Sequence, residues 1–275
     1  MKRRAIQMIN EVFLTGQVVK AEVKSDGKAM DLVVNVKEYF GYSGDSGKGH
    51  KVQSHNVFLV GNTETVKEFI RKSGEAQKPT YISVFGTLSE RSMPPIEGSG
   101  EAYGPHQTFV VCRDVLSLSN EVETEKARAY FQGEVVYRTQ KHTKTGSPYV
   151  FIIAKNRTEI VDKKSGEIKS TKNTGCGVKI YAREESELPF GKGDMVLFAG
   201  NLESYELRDY PGVFNSGMKS FDWMGAGFTE MNSDPISPDI IEAADNLETG
   251  VVETEPGSTN EYVPPDTVED EELPF

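Results

Sequence analysis

The chain has 275 residues with 31 Lys+Arg against 42 Asp+Glu, a formal net charge of −11 that at first sight argues against a nucleic-acid partner. The charge is segregated: residues 229–275 hold 14 acids and no Lys or Arg, so residues 1–228 carry 31 basic and 28 acidic residues, a net of +3. No apolar run reaches the roughly 20 residues that span a bilayer, and no apolar h-region follows Lys2, Arg3 and Arg4, so no membrane is involved and a cytoplasmic location is expected.

Short β-type runs punctuated by glycine fill the first half. Residues 9–18 read as a strand interrupted at Gly16, residues 30–36 alternate as a half-buried strand does, and residues 55–61 form a third. A short helix follows, with Asn62 or Thr63 as cap, Val66, Phe69 and Ile70 at i, i+3 and i+4, and Gly74 as stop. Residues 81–88 and 108–111 complete the set.

After a charged stretch the same grammar restarts. Residues 129–136 mirror the first strand, with Gly133 in the place of Gly16, and residues 148–154, 177–181 and 195–202 follow as strands. The helical segment between the third and fourth strands is short here, residues 183–188. Two copies of one small barrel are the economical reading. The fold class is all-β: two tandem five-stranded β-barrels of the OB type and a disordered acidic tail. The boundaries are 1–119 for the first barrel, 120–127 for a linker, 128–228 for the second barrel and 229–275 for the tail.

Catalysis finds no support. His50, His55, His106 and His142 are scattered, Cys112 and Cys176 lack the local partners of a zinc motif and read as buried residues, and Glu184-Glu185 reads as a solvated surface. The Gly-rich stretch 41–49 fails the phosphate-loop spacing, because Tyr42 stands where a glycine is needed and Gly49 follows Lys48 in place of Ser or Thr. No metal, cofactor or enzymatic activity is expected.

Residues 126–183 hold 13 Lys+Arg against four acids, in the loops that flank the binding face of an OB barrel. The candidate nucleic-acid contacts there are Arg138, Lys141, Lys144, Lys155, Arg157, Lys163, Lys164, Lys172 and Lys179, with Lys48 and Lys51 in the first barrel. Rings offer every base a stacking surface without reading its identity. The candidates are Tyr39, Phe40, Tyr42, Tyr149, Tyr205 and Tyr210, with Met93 beside them; Tyr137 and Tyr181 belong to the same set of aromatics. Phe13, Phe58, Phe85, Phe131, Phe151 and Phe198 lie in apolar runs and are assigned to the core.

The last residues, Glu269-Asp270-Glu271-Glu272-Leu273-Pro274-Phe275, set an acidic cluster before an apolar terminus. A terminal ring with a free carboxylate suits an apolar pocket rimmed by Arg or Lys. In this tail the sequence resembles the bacterial and phage single-stranded DNA-binding proteins, and the resemblance extends to residues 9–16, residues 55–61 with the helix after them, and residues 192–202. It implies sequence-independent coating of single-stranded DNA in replication, recombination and repair. It further implies recruitment of partner enzymes through Asp270, Glu271, Glu272, Leu273, Pro274 and Phe275, and a homodimer. The sequence departs from the family at its stacking tryptophans: Ser54 and Met93 stand at or near two such positions, and the single Trp is Trp223. An adaptor whose barrels bind protein instead of DNA is the alternative.

Overall fold

The computed structural model describes residues 8–24, 27–39, 50–96, 104–144, 146–162, 167–182 and 184–224. Strands β1 (Asn10–Val23), β2 (Ala29–Tyr39) and β3 (His50–Val60) lead to helix α1 (Thr63–Glu75), then β4 (Tyr81–Ser92) and β5 (His106–Ser119). The second unit repeats the order as β6 (Lys126–His142), β7 (Pro148–Val161), β8 (Ile168–Ile180), a 3₁₀ turn at Glu185–Glu187, β9 (Met195–Glu206) and β10 (Phe214–Met224). The strand order β2-β3-β5-β4-β1-β6-β7-β8-β10-β9, with β2 returning to β1 and β9 to β6, describes two closed five-stranded OB barrels joined edge to edge.

The repeat holds at the level of backbone distortions. Gly16 and Gly133 precede matching register shifts, at Val18/Lys20 in β1 and Val135/Tyr137 in β6. Gly86 and Gly200 lie where partner strands come too close for any side chain: a Cβ would stand 2.2 Å from the Val111 carbonyl oxygen and 2.0 Å from that of Lys219. These glycines let β5 and β10 cross closely over β4 and β9.

Alternation sends Val12, Leu14, Leu32, Val34, Val57, Leu59, Ile82 and Val84 into the first barrel, and Phe131, Val150, Ile152, Val178, Ile180, Val196, Phe198 and Met218 into the second. Both cysteines are free and buried, and burial pushes the Cys112 thiol up to about 12 and the Cys176 thiol up as well. Helix α1 carries Val66 into the first core; Asn62 adopts a left-handed conformation and makes no side-chain cap, while the Thr63 hydroxyl donates to the Gly27 carbonyl at 3.0 Å.

Four expectations need correction. The helical segment of the second barrel shrinks to the three-residue 3₁₀ turn, because Pro189 keeps the residue before it out of helix; Leu188 and Phe190 fill the barrel end instead. Lys126 and Ala127 are strand, since Lys126 pairs with Thr15 and Ala127 with Leu14. Strand β10 was not foreseen: its inward positions are Ser216, Met218 and Ser220, and two serines mask the apolar period. Of the six phenylalanines assigned to the core, Phe131 and Phe198 are fully buried, Phe58, Phe85 and Phe151 are half-buried, and Phe13 is 43% exposed. Phe13 sits between Val12 and Leu14, which point inward, so the period of two turns it outward.

The barrels are joined by the antiparallel β1–β6 pair, in which Val12 faces Ala129, Glu11 faces Tyr130 and Phe13 faces Arg128. Each barrel also lays its long hairpin across the other. From β4–β5, Glu90 Oε2 accepts the Gly175 N–H at 2.6 Å and the Thr108 hydroxyl donates to the Gly175 carbonyl at 3.0 Å. From β9–β10, the Ser204 N–H donates to Gln53 Oε1 at 2.9 Å and the Phe214 N–H to Asn56 Oδ1 at 2.6 Å.

Candidate nucleic-acid interface

The outer face of the second barrel gathers cations and rings on β6, β7, β8 and β10. The register sets Thr139 beside Phe151, Phe151 beside Lys179, Lys179 beside Lys219 and Lys219 beside Asn201. The row continues through Arg128 to Phe13 and Phe85 of the first barrel. On β7 and β8 the neighbours Val150, Ile152, Val178 and Ile180 are buried and apolar, and on β10 Met218 and Ser220 are buried, so alternation turns Phe151, Lys179 and Lys219 to the outside.

Contacts among these side chains are cation–ring contacts. The Lys219 ammonium lies 4.8 Å from the Tyr181 ring centre and 5.9 Å from that of Phe221, and the Arg128 guanidinium lies 5.6 Å from Phe221. Lys141 stands 5.0 Å above Phe151, and Lys179 stands 5.8 Å from Tyr149 and 3.8 Å from the Glu203 carboxylate. Tyr181 is 41% exposed and Phe221 54%, so both rings present apolar area next to a cation. A stacked base and its phosphate need those two features side by side.

The residues singled out in the sequence fall into several places. Lys141 and Lys179 belong to this face, and Tyr149 lies beneath it: only 7% exposed, its ring 6.1 Å from that of Tyr181. Arg138 is held inside, donating through Nη1 to the Phe190 carbonyl and lying 5.9 Å from the Phe190 ring. Tyr205 and Tyr210 serve the seam: Tyr205 accepts from Asn215 Nδ2 at 2.6 Å, whose Oδ1 holds the Thr108 N–H, and the Tyr210 hydroxyl donates to the Pro94 carbonyl. Half-buried Met93 donates its amide to the Pro105 carbonyl at the neck of the β4–β5 hairpin, and Lys51 pairs with Glu38 in the β2–β3 ladder.

Lys144 is exposed in the turn after β6, and Lys155 and Arg157 are exposed on β7, the latter 3.6 Å from Glu159. Much of Lys172 is exposed, yet its ammonium is crowded by packed chain and faces Arg113 of the first barrel; both influences lower its pKa. Tyr39 ends β2. Phe40, Tyr42, Lys48, Lys163, Lys164, Asp270, Glu271, Glu272, Leu273, Pro274 and Phe275 lie outside the described residues. Lys219 and Phe221, which were not anticipated, lie on the strand whose pattern the serines hide.

Three titratable groups, His55 within the first barrel and the His106–Glu90 pair at the seam, are perturbed by burial or by one another. His55 is fully buried, neither ring nitrogen meets a hydrogen-bond partner among the described residues, and burial lowers its pKa to about 3. His106 Nδ1 lies 2.7 Å from Glu90 Oε1; Glu90 raises the His106 pKa. Burial opposes ionisation of Glu90, but the bonds from His106 and the Gly175 amide outweigh it and its pKa is lowered.

Closed barrels, exchanged hairpins and a basic aromatic face define a two-barrel OB-fold protein. No family model matches the sequence, and no curated protein matches it. Among solved structures, the fold is similar to that of the single-stranded DNA binding protein from Thermus aquaticus. A deletion variant of that protein aligns with a TM-score of 0.53 at 17% identity, covering 85% of this chain and 98% of that one. The wild-type form gives 0.50 at 18% identity, with 80% and 94% covered. At such identities the likeness establishes the shared two-barrel fold. Among the described residues, no helix is long and apolar enough to cross a membrane.

Proposed function

We propose that this chain is a non-enzymatic single-stranded-DNA-binding protein that coats exposed strands without reading sequence during replication, recombination and repair. The observation that carries the reading is the outer face of the second barrel, where the Lys219 ammonium lies within 6 Å of the exposed rings of both Tyr181 and Phe221. Likeness of fold to the Thermus aquaticus protein along nearly all of that protein's length supports it. Stacking serves any base and ammonium groups serve any phosphate, so this chemistry is indifferent to sequence.

Two further parts belong to the proposal. The tail recruits partner enzymes through Asp270, Glu271, Glu272, Leu273, Pro274 and Phe275, whose chemistry fits a basic-rimmed apolar pocket. The chain acts as a homodimer, and the exposed rings of Phe13 and Tyr130, each 43% exposed on either side of the β1–β6 pair, supply an apolar face for a second copy. Titrating the full chain with poly-dT at two salt concentrations tests the central reading. Binding that weakens steeply with salt and is equal for mixed-sequence strands is expected; no retention on single strands overturns it in favour of a protein-binding adaptor.

A further inference from the structure

We infer that the two barrels divide the work of holding a strand: the β8–β10 face of the second barrel grips it, and the corresponding face of the first barrel does not. This rests on the single-stranded-DNA reading and deepens it.

The parallel strand pairs give the equivalence. In the first barrel Val57 pairs with Val110 and Phe58 with Val111; in the second, Val178 pairs with Met218 and Lys179 with Lys219. Phe58 therefore occupies the place of Lys179, Val111 that of Lys219 and Val60 that of Tyr181. On the neighbouring strand Asp31, paired with Phe58, stands where Phe151 is paired with Lys179. The same backbone thus carries two lysines and two rings in one copy, and two aliphatics, a ring and a carboxylate in the other.

Arg113 takes the place of Phe221, one residue past the Gly86–Cys112 and Gly200–Ser220 pairs. Burial lowers its pKa, with the charges of Glu11 and Asp114 working in the opposite sense. Asp31 lies 2.5 Å from Lys24, so the first face carries an internally balanced pair where the second carries cations among rings. A phosphodiester approaching the first face meets aliphatic carbon, the half-buried Phe58 ring and cations that already face carboxylates, Lys24 beside Asp31 and the half-buried Arg113 under the charges of Glu11 and Asp114. Approaching the second, it meets Lys219, whose contacts among the described residues are rings, while Lys179 has Glu203 as counter-ion. Lys219 is thus the principal phosphate contact, and Tyr181 and Phe221, both within 6 Å of its ammonium, take the bases on either side.

The test measures binding of a labelled dT oligomer by the full chain over a range of salt. Tyr181→Ala or Phe221→Ala weakens binding roughly tenfold. Lys219→Ala lowers the slope of log affinity against log salt by about 0.7. Val60→Ala and Val111→Thr leave both quantities at their starting values. Melting curves confirm that each variant is folded, and Lys219→Glu, at a half-buried position whose side chain lies outside the apolar core, provides a second loss of grip without loss of core. If the starting chain binds and the first-barrel variants lose as much as the second-barrel ones, or the second-barrel variants lose nothing, the division of labour is overturned alone. If the starting chain binds no dT oligomer, the single-stranded-DNA reading falls and this inference falls with it.

Discussion

Val12 of the first barrel faces Ala129 of the second across β1 and β6, and the residues around this pair are related by a local two-fold: Glu11 opposes Tyr130 as Arg128 opposes Phe13. The backbones obey this symmetry while the side chains do not. Glu11 and Arg128 occupy equivalent positions with opposite charge, and the first copy's carboxylate acts on Arg113 where the second copy's guanidinium covers Phe221. One architecture therefore presents two chemically distinct surfaces.

Substitution at the matched glycines separates fold from binding. Gly86→Ala and Gly200→Ala each drive a methyl group into a carbonyl oxygen of the crossing strand, so both lower stability by about 1–3 kcal/mol in thermal or chemical unfolding. The carbonyl displaced by Gly200→Ala is that of Lys219, so this variant also weakens binding to a dT oligomer, whereas Gly86→Ala displaces Val111 and leaves binding intact. Equal affinity losses in both variants contradict the assignment.

The buried His55 makes stability fall in acid. Its folded pKa, about 3, lies below the ordinary 6.5, so the contribution is complete above pH 6.5 and is lost as pH falls toward 3, at roughly 1.4 kcal/mol per pH unit. The His106–Glu90 bridge behaves differently. The raised histidine contributes below its ordinary pKa and fades as pH rises through the folded value; the lowered carboxylate contributes above 4.5 and fades below it. Unfolding curves of His55→Leu between pH 7 and 4 should lose most of the acid slope, and an unchanged slope assigns it elsewhere.

Barrels, helix and repeat were legible because they rest on period-two alternation and on glycines at close crossings, which the sequence displays at residues 9–18 and 129–136. The surplus of charge in the second barrel was legible too, and Lys141 and Lys179 lie on its outer face. Register was not legible. Phe13 looked internal because both neighbours are apolar, and Tyr205 and Tyr210 looked like stacking rings although the long hairpin carries them into the seam. Lys219 and Phe221 were hidden because Ser216 and Ser220 take inward positions where apolar residues mark a strand.

Phe13 tests the second copy. Its ring lies 4.8 Å from that of Phe85, tilted by 42°, and remains exposed beside the two-fold, so a partner covering it removes apolar area from water. Phe13→Asp leaves a folded chain of half the mass in light scattering at micromolar concentration, with the second-barrel face still able to bind a short dT oligomer. A mass identical to that of the unaltered chain places the dimer contact on another surface.

Removal of residues 229–275 tests the tail. Its 14 acids carry no compensating Lys or Arg, and the proposal is that their covalent link to the second barrel gives them a high effective concentration near its cations. Carboxylates in that position compete with phosphates for Lys179 and Lys219, and the competition is electrostatic, so it weakens as salt shortens the range of the interaction. The truncated chain therefore binds dT oligomers more tightly than the full chain at low salt, and the difference closes as salt is raised. Deleting only Leu273, Pro274 and Phe275 removes three residues without a side-chain charge, so it leaves this DNA affinity unchanged while abolishing capture of partner enzymes. Equal affinity of full and truncated chains at low salt shows that the acidic tail does not reach the face, and capture that survives the three-residue deletion moves partner recognition off the terminal ring.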